Sequence, residues 1–250
     1  MMTLNGDVGE NEHSESRLDH LLIPLLDMAN IACGFHASTP QLMTDTLQLC
    51  VENNVMIGAH PSYDDREGFG RRSVSMPNDE LIHLVCYQIG ALQSLCHYHN
   101  TQVSYFKPHG ALYNDMMASP QIMQAMLMLG AKLKLPVMLL ATGDSEQHLA
   151  LAKRLGAELI FEAFADRRYQ NNGHLTPRTQ SGAVFHQPEQ ILHQANAIAR
   201  EQYVITADDH RLSLKADTLC VHGDNMASVQ VAQNIRSLLD QAKEAHQNHD

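Results

Sequence analysis

What this chain lacks narrows its function before any motif is read. Basic charge is scarce: 17 Lys and Arg stand against 28 Asp and Glu, a formal net charge of −11. With no Lys/Arg stripe, that balance argues against nucleic acid as a partner and reads mainly as solubility. No run approaches the ~18 apolar residues of a spanning helix, and no basic region followed by an apolar stretch opens the chain. Neither a membrane partner nor export is expected. The five cysteines are odd in number and show no C-x-x-C spacing, as expected of thiols kept reduced in the cytoplasm. Also missing are the G-x-x-x-x-G-K-[ST] loop that cradles ATP phosphates and the G-x-S-x-G turn of a serine nucleophile.

What the chain does have is a rhythm. Its 250 residues fit one large domain, 1–250, the usual size of an α/β barrel, and can bury a core without disulfides. Strand-like runs at 3–8, 28–33, 55–59, 103–106, 136–141, 158–162 and 217–221 alternate with helix-like segments. The helical candidates are 17–26, 40–53, 78–100, 120–133, 145–155, 188–200 and 226–245. Pro40, Pro120 and Pro188 stand where a first-turn proline is tolerated. Seven strands, each followed by a helix, predict a parallel sheet with right-handed crossovers, either open or closed into a barrel. Two polar stretches, 61–77 and 166–182, are too long for turns and read as functional loops. Segments 203–206 and 211–214 read as a small β-hairpin inserted before the last strand, and the tail after 245 as frayed. Cys33 and Cys220 read as core thiols, and Met123, Met126 and Met128 as core filler.

Polar clusters end the apolar runs. They are L-N-G-D-V-G-E (4–10), N-I-A-C-G-F-H-A (30–37), I-G-A-H-P-S-Y (57–63), F-K-P-H-G-A-L-Y-N (106–114), E-A-F-A-D-R (162–167), P-R-T-Q-S-G-A (177–183) and C-V-H-G-D (220–224). A parallel α/β sheet gathers its strand ends at one face, so these clusters should meet in a single pocket. One histidine at a strand end is ordinarily structural. Asp7, His36, His60, His109, Glu162 and His222 at equivalent positions point to a shared site. Asp7 is the acid/base candidate, with Asn5 and Glu10 beside it. His36 and His60 could join Asp7 around Zn or a similar divalent ion, or donate to a substrate carboxylate; no H-x-x-x-H spacing decides between them. Lys107, next to His109 in K-P-H-G, could hold an oxyanion or an anionic group. Asp166, Arg167 and Arg178 lie on the sixth loop and Arg66, Arg71 and Arg72 on the third, where a guanidinium suits a carboxylate or phosphate.

Taken with Y-Q-I-G-A-L (87–92), F-A-D-R-x-Y and L-K-A-D-T-x-C-V-H-G-D, these clusters resemble the 5-oxoprolinase A-subunit family, also called the LamB/YcsF or lactam-utilisation family. The resemblance runs from Leu4 to Asp224. It implies an irregular seven-stranded (β/α) barrel similar to polysaccharide deacetylase barrels. It also implies ATP-dependent opening of 5-oxo-L-proline to L-glutamate with partner subunits B and C, ATP being a co-substrate handled with those partners. On that reading Asp7 is the general base toward water, oriented by His36 and His60. Lys107, His109 and His222 stabilise the oxyanion or protonate the leaving nitrogen, and Arg167 or Arg178 holds the substrate carboxylate. Asn5, Glu10, Glu162, Asp166 and Asp224 complete the substrate pocket. Two positions depart from relatives: Thr3 stands where Asp is common, removing a carboxylate expected near the mouth, and Ser38-Thr39 replace Gly-Asp. The alternatives are a metal-dependent, deacetylase-like amide hydrolase that needs no ATP, and a non-catalytic lactam-binding subunit.

Overall fold

The structure, a computed structural model, describes residues 2–11, 18–223 and 225–247, with side chains as far as 243. Arg17, Asp224 and residues 248–250 of the expected tail lie outside the described residues. Seven parallel strands close a barrel: β1 (Thr3–Val8), β2 (Met28–Ala32), β3 (Met56–His60), β4 (Tyr105–Phe106), β5 (Val137–Leu140), β6 (Leu159–Phe164) and β9 (Thr218–Val221). Between β6 and β9 the chain makes an antiparallel hairpin, β7 (Tyr203–Ile205) with β8 (Arg211–Ser213), which stays out of the barrel. The helices are α1 (Asp19–Leu22), α2 (Pro40–Glu52), α3 (Asn78–Tyr98), α4 (Gly110–Ala118), α5 (Pro120–Leu133), α6 (Ser145–Leu155), α7 (Pro188–Glu201) and α8 (Met226–Gln247). No described helix is long and apolar enough to cross a membrane.

Strand alternation sorts the chemistry. Leu4, Ile31, Ala59, Phe106, Leu139, Phe161 and Leu219 join the large apolar core that includes the helix faces. Their neighbours one residue away turn to the barrel axis, because successive strand side chains point to opposite faces. Low on that axis, Met28, Tyr105, Met138 and Ile160 form a separate apolar plug. Above it comes a layer of Asn5, Asn30 and Thr218 joined by side-chain hydrogen bonds. The ionisable residues lie above that, at the carboxyl ends. Gly58 is in register with Tyr105, and a Cβ there would strike the phenol ring. The missing side chain lets Tyr105 cross the barrel and donate to Asn30 Oδ1 at 2.6 Å.

Four expectations need correction. The helix expected over 17–26 is a single turn, α1, followed by a 3-10 turn at Ile23–Leu25; Pro24, with no N–H, cannot continue an α-helix. Helix α4 was not foreseen between the fourth strand and α5. Met128 is 42% exposed, because it lies on the opposite face of α5 from buried Met123 and Met126. Thr3 sits at the amino end of β1, bonded to Asp217 O and Met28 Sδ. Four residues of strand, roughly 13 Å, separate it from Asp7, so a carboxylate there would not approach the mouth.

The second departure also has a structural reading. Thr39 caps α2, its hydroxyl accepting from Leu42 N–H at 3.2 Å, and Asp serves equally well as an N-cap. Ser38, however, is held at φ +79°, in the left-handed region that favours glycine. Arg66 braces the turn by donating to the Gly34 and Ser38 carbonyls. Ser38→Gly should therefore raise stability by about 1 kcal/mol, read as a higher urea midpoint at unchanged m-value.

Candidate active site

At the centre of the mouth lies an ammonium. Lys107, just past β4, is almost wholly buried, with Nζ 3.0 Å from both Asp7 Oδ1 and Glu162 Oε2 and 3.4 Å from Cys220 Sγ. Asn30 donates to the same Asp7 oxygen at 2.7 Å. Burial favours the neutral form of each partner, but the charges oppose it. The Lys107 amine is held well above its ordinary value by Asp7 and Glu162. For Asp7, burial pushes the carboxyl up, yet His60 and Lys107 together keep it well below the usual carboxylate range. Cys220 is not merely core filling: it faces this cluster, and burial keeps its thiol protonated.

An imidazole group forms the adjoining wall. His60 Nδ1 donates to the Lys107 carbonyl at 2.7 Å, and His109 Nε2 donates to the Phe69 carbonyl at 2.9 Å. The remaining nitrogens, His60 Nε2 and His109 Nδ1, face each other at 3.0 Å. Glu10 Oε1 lies 3.0 Å from His36 Nε2, 3.3 Å from His109 Nδ1 and 3.9 Å from His60 Nε2. The His36 and His109 rings stack with centroids 3.7 Å apart. The third loop holds this wall in place: Gly70, at φ +63°, packs where any Cβ would meet His109 and His36.

On the far side, His222 Nδ1 pairs with Asp166 Oδ2 at 3.1 Å. Burial raises the Asp166 carboxyl, but His222, with Arg167 and Arg178, outweighs it and leaves the group below its ordinary value. A cavity of about 620 Å³ opens between the two walls. Asp7, Glu10, His60, Lys107, His109 and His222 line it, with Arg71, Arg167 and Arg178 nearer its rim loops. A second cavity of about 320 Å³ adjoins it, lined by Asp166, Arg178 and His222 among others.

The clusters read from sequence thus converge, but in different partnerships. His36 pairs with Glu10 rather than Asp7, which splits the trio Asp7, His36 and His60. Asn5, His36 and Glu162 stand behind the lining rather than in it. Asp166 reaches the second cavity, and Asp224 lies outside the described residues. Of the third-loop arginines, Arg66 braces the Ser38 turn and Arg72 pairs with Asp65, leaving Arg71 at the cavity. Arg167 also donates to the Ala183 and Thr176 carbonyls, tying down its own loop. Sequence reasoning missed Asn30 and Tyr105, although both fall on the inward parity of their strands. It also missed two buried glutamines: Gln88 on α3 bonds both backbone groups of Ser62, and Gln194 on α7 bonds the carbonyls of Phe164, Ala165 and Arg167.

Two donor sets could hold a cation: Glu10, His36, His60 and His109, or Asp7, Cys220 and His222. In the second, the Lys107 ammonium already sits against Asp7 and Cys220. The first contains no fixed cation among the described residues.

Fold and site define a (β/α) barrel protein with an ionisable pocket at the carboxyl ends of its strands, where such barrels carry their chemistry. A family profile described as "LamB/YcsF family" matches residues 2–249. The chain belongs to this family. It is 49% identical over 239 residues to a Vibrio campbellii protein named as the A subunit of 5-oxoprolinase, covering 95% of each chain. A protein of the same name from Pseudomonas fluorescens is 48% identical over 243 residues, covering 96% of this chain and 97% of its own. Among solved structures, a lactam utilization protein from Thermus thermophilus superposes with a TM-score of 0.87 at 31% identity, covering 97% of each chain. A truncated 3-deoxy-D-arabino-heptulosonate 7-phosphate synthase from Thermotoga maritima shares the fold alone, with a TM-score of 0.53 at 9% identity, covering 99% of this chain and 87% of its own.

Two outcomes test this electrostatic picture. Lys107→Met leaves two carboxylates without their cation and should cost about 3–5 kcal/mol in urea unfolding; adding Glu162→Gln should recover part of that loss. Asp166 binds its proton less readily when folded, so its stabilisation is complete above the unfolded value near ~3.9 and vanishes as pH falls through the lower folded value. Asp166→Asn should accordingly flatten the fall in stability below pH ~4, measured as urea midpoints across acid pH.

Proposed function

We propose that this protein is the A subunit of a multi-subunit 5-oxoprolinase, opening 5-oxo-L-proline to L-glutamate at the expense of ATP. The observation that carries the reading is the pairing of ionised Asp7 with the Lys107 ammonium at a cavity floor, beneath a rim bearing Arg71 and Arg178. Likeness over 95% of the chain to relatives named as 5-oxoprolinase A subunits supports the choice of lactam.

A five-membered lactam resists hydrolysis because its ring re-closes readily. Phosphorylation of the amide oxygen by ATP would make the carbon electrophilic. One water then adds to that carbon and the ring C–N bond breaks, its nitrogen taking a proton. The acyl phosphate left behind is hydrolysed by a second water to carboxylate and phosphate. Asp7 is too acidic to store a proton at neutral pH, so its task is to orient water and stabilise positive charge. His222, with Nδ1 fixed on Asp166, is the group suited to carry the proton between water and the leaving nitrogen. Lys107 Nζ is positioned for negative charge developing on the carbonyl oxygen. Arg178 and Arg71 match the substrate carboxylate or a phosphoryl group. A cavity of about 620 Å³ exceeds what a small lactam fills, leaving space for a phosphoryl donor brought by subunits B and C. The absence of a P-loop agrees with nucleotide handling shared with those partners.

The reading is tested by mixing this chain with candidate partner subunits and measuring glutamate released from 5-oxoproline with and without ATP. ATP-dependent release is expected, and Asp7→Asn should lower kcat about 100-fold or more while still co-purifying with the partners. Wild-type rates in Asp7→Asn would remove Asp7 from the mechanism. No release from the wild-type assembly would remove the function itself.

A further inference from the structure

The imidazole wall meets the Asp7–Lys107 centre only through His60, whose Nε2 lies 3.5 Å from Asp7 Oδ2, and the His222–Asp166 pair does not explain it. A backbone carbonyl only accepts hydrogen bonds, so the nitrogen facing it must carry the hydrogen. His60 Nδ1 faces the Lys107 carbonyl and His109 Nε2 faces the Phe69 carbonyl. In the neutral rings both tautomers are therefore set by the fold, which leaves His60 Nε2 and His109 Nδ1 without hydrogens 3.0 Å apart. Two lone pairs at that distance repel unless a cation stands with them. A third donor, Glu10 Oε1, lies 3.3 Å and 3.9 Å from those nitrogens, and His36 Nε2 bonds the same oxygen at 3.0 Å.

We infer that Glu10, His60 and His109, with His36 bonded to Glu10 behind them, form a binding site for a divalent transition-metal cation of the Zn²⁺ type. Donor atoms around a tetrahedral ion with bonds of ~2.0–2.1 Å lie roughly 3.3 Å apart, close to the 3.0–3.9 Å separations found here. One proton can join only two of these atoms, whereas one ion can accept all three; His36, stacked parallel to His109 at 3.7 Å, cannot aim a lone pair at the same ion and bonds Glu10 instead. Two imidazoles and one carboxylate suit Zn²⁺ or Co²⁺ and disfavour Mg²⁺ and Ca²⁺, which take oxygen donors. The Lys107 and Phe69 carbonyls act as the outer partners that metal-binding histidines use to fix their rings. All three residues, Glu10, His60 and His109, line the main cavity, so an ion here would border the substrate space.

The site shares its cavity with the proposed lactam chemistry, but metal binding is read without substrate, ATP or partners. Its failure would leave the lactam reading standing, and failed glutamate release would leave the metal site standing. The purified full-length chain is stripped with chelator, dialysed against Zn²⁺ or Co²⁺ alone, and assayed for bound metal, for Co²⁺ visible absorption and for Tm. The expected result is about one equivalent bound per chain, an imidazole-type Co²⁺ spectrum and a raised Tm. Glu10→Gln and His109→Asn, each checked for folding by circular dichroism, should weaken Co²⁺ binding at least about tenfold. His222→Gln, which lies in the other donor set, should leave it unchanged. Three results would overturn the inference: no stoichiometric metal, binding that survives both cluster variants, or binding lost with His222→Gln. The first would assign the His60–His109 contact to a shared proton.

Discussion

Everything at the mouth of this barrel depends on where one ammonium is kept. The Lys107 amine occupies an interior from which water is largely excluded, and two carboxylates on different strands hold it there. Such a charge is tolerated only when paired and hydrogen-bonded, so the strands carrying Asp7 and Glu162 cannot shift without exposing a large electrostatic cost. The same residue acts a second time through its backbone, since its carbonyl fixes the His60 ring. Side chain and carbonyl of Lys107 thus tie the carboxylate half of the site to its imidazole half. Pro108 follows at once, limiting the ways this segment can move.

The loops complete what the strands begin. Without the third loop, His109 would lose the Phe69 carbonyl that sets its tautomer. Gly70 lets that loop close directly over the His36–His109 stack. The sixth loop works differently: Arg167 and Gln194 secure its backbone, while Arg178 is left to face both cavities. Both long loops are therefore built from buried polar contacts at their bases and open chemistry toward their tips. Gln88 and Gln194 explain how polar loop bases can sit over an apolar core, because each buried backbone group they meet gains a partner.

The parallel sheet was legible because the alternation of strands and helices is a short-range signal, whereas its closure into a barrel was implied only by the family resemblance. Asn5 and Asp7, Gly58 and His60, and Cys220 and His222 fall two apart, so chain chemistry alone put them on one face. Partnerships across the barrel were not legible. Whether His36 meets Asp7 or Glu10 depends on how two strand-end turns fold over, and no spacing in the sequence encodes that. The third-loop arginines could not be told apart for the same reason: Arg66, Arg71 and Arg72 look alike until Ser38, the cavity and Asp65 claim them in turn. Helix α4 escaped because its nine residues sit directly against α5, with only Ser119 between them. Ser38 shows the reverse case. Its replacement of a common glycine was visible in the sequence, yet its consequence, a left-handed backbone braced by Arg66, required the fold.

The division between floor and rim has a chemical consequence. Floor groups, Asp7 and Lys107 above all, belong to strand ends whose register is set by the whole barrel, so their separation cannot be tuned one contact at a time. Rim groups such as Arg71 and Arg178 lie on loops anchored at their bases, and can change reach without disturbing that register. Charge development on a small carbonyl group needs the fixed geometry of the floor. A flexible or bulky anion needs the adaptable geometry of the rim. A barrel that must handle both in one cavity is best served by drawing them from different structural layers, and that is the arrangement this sequence builds.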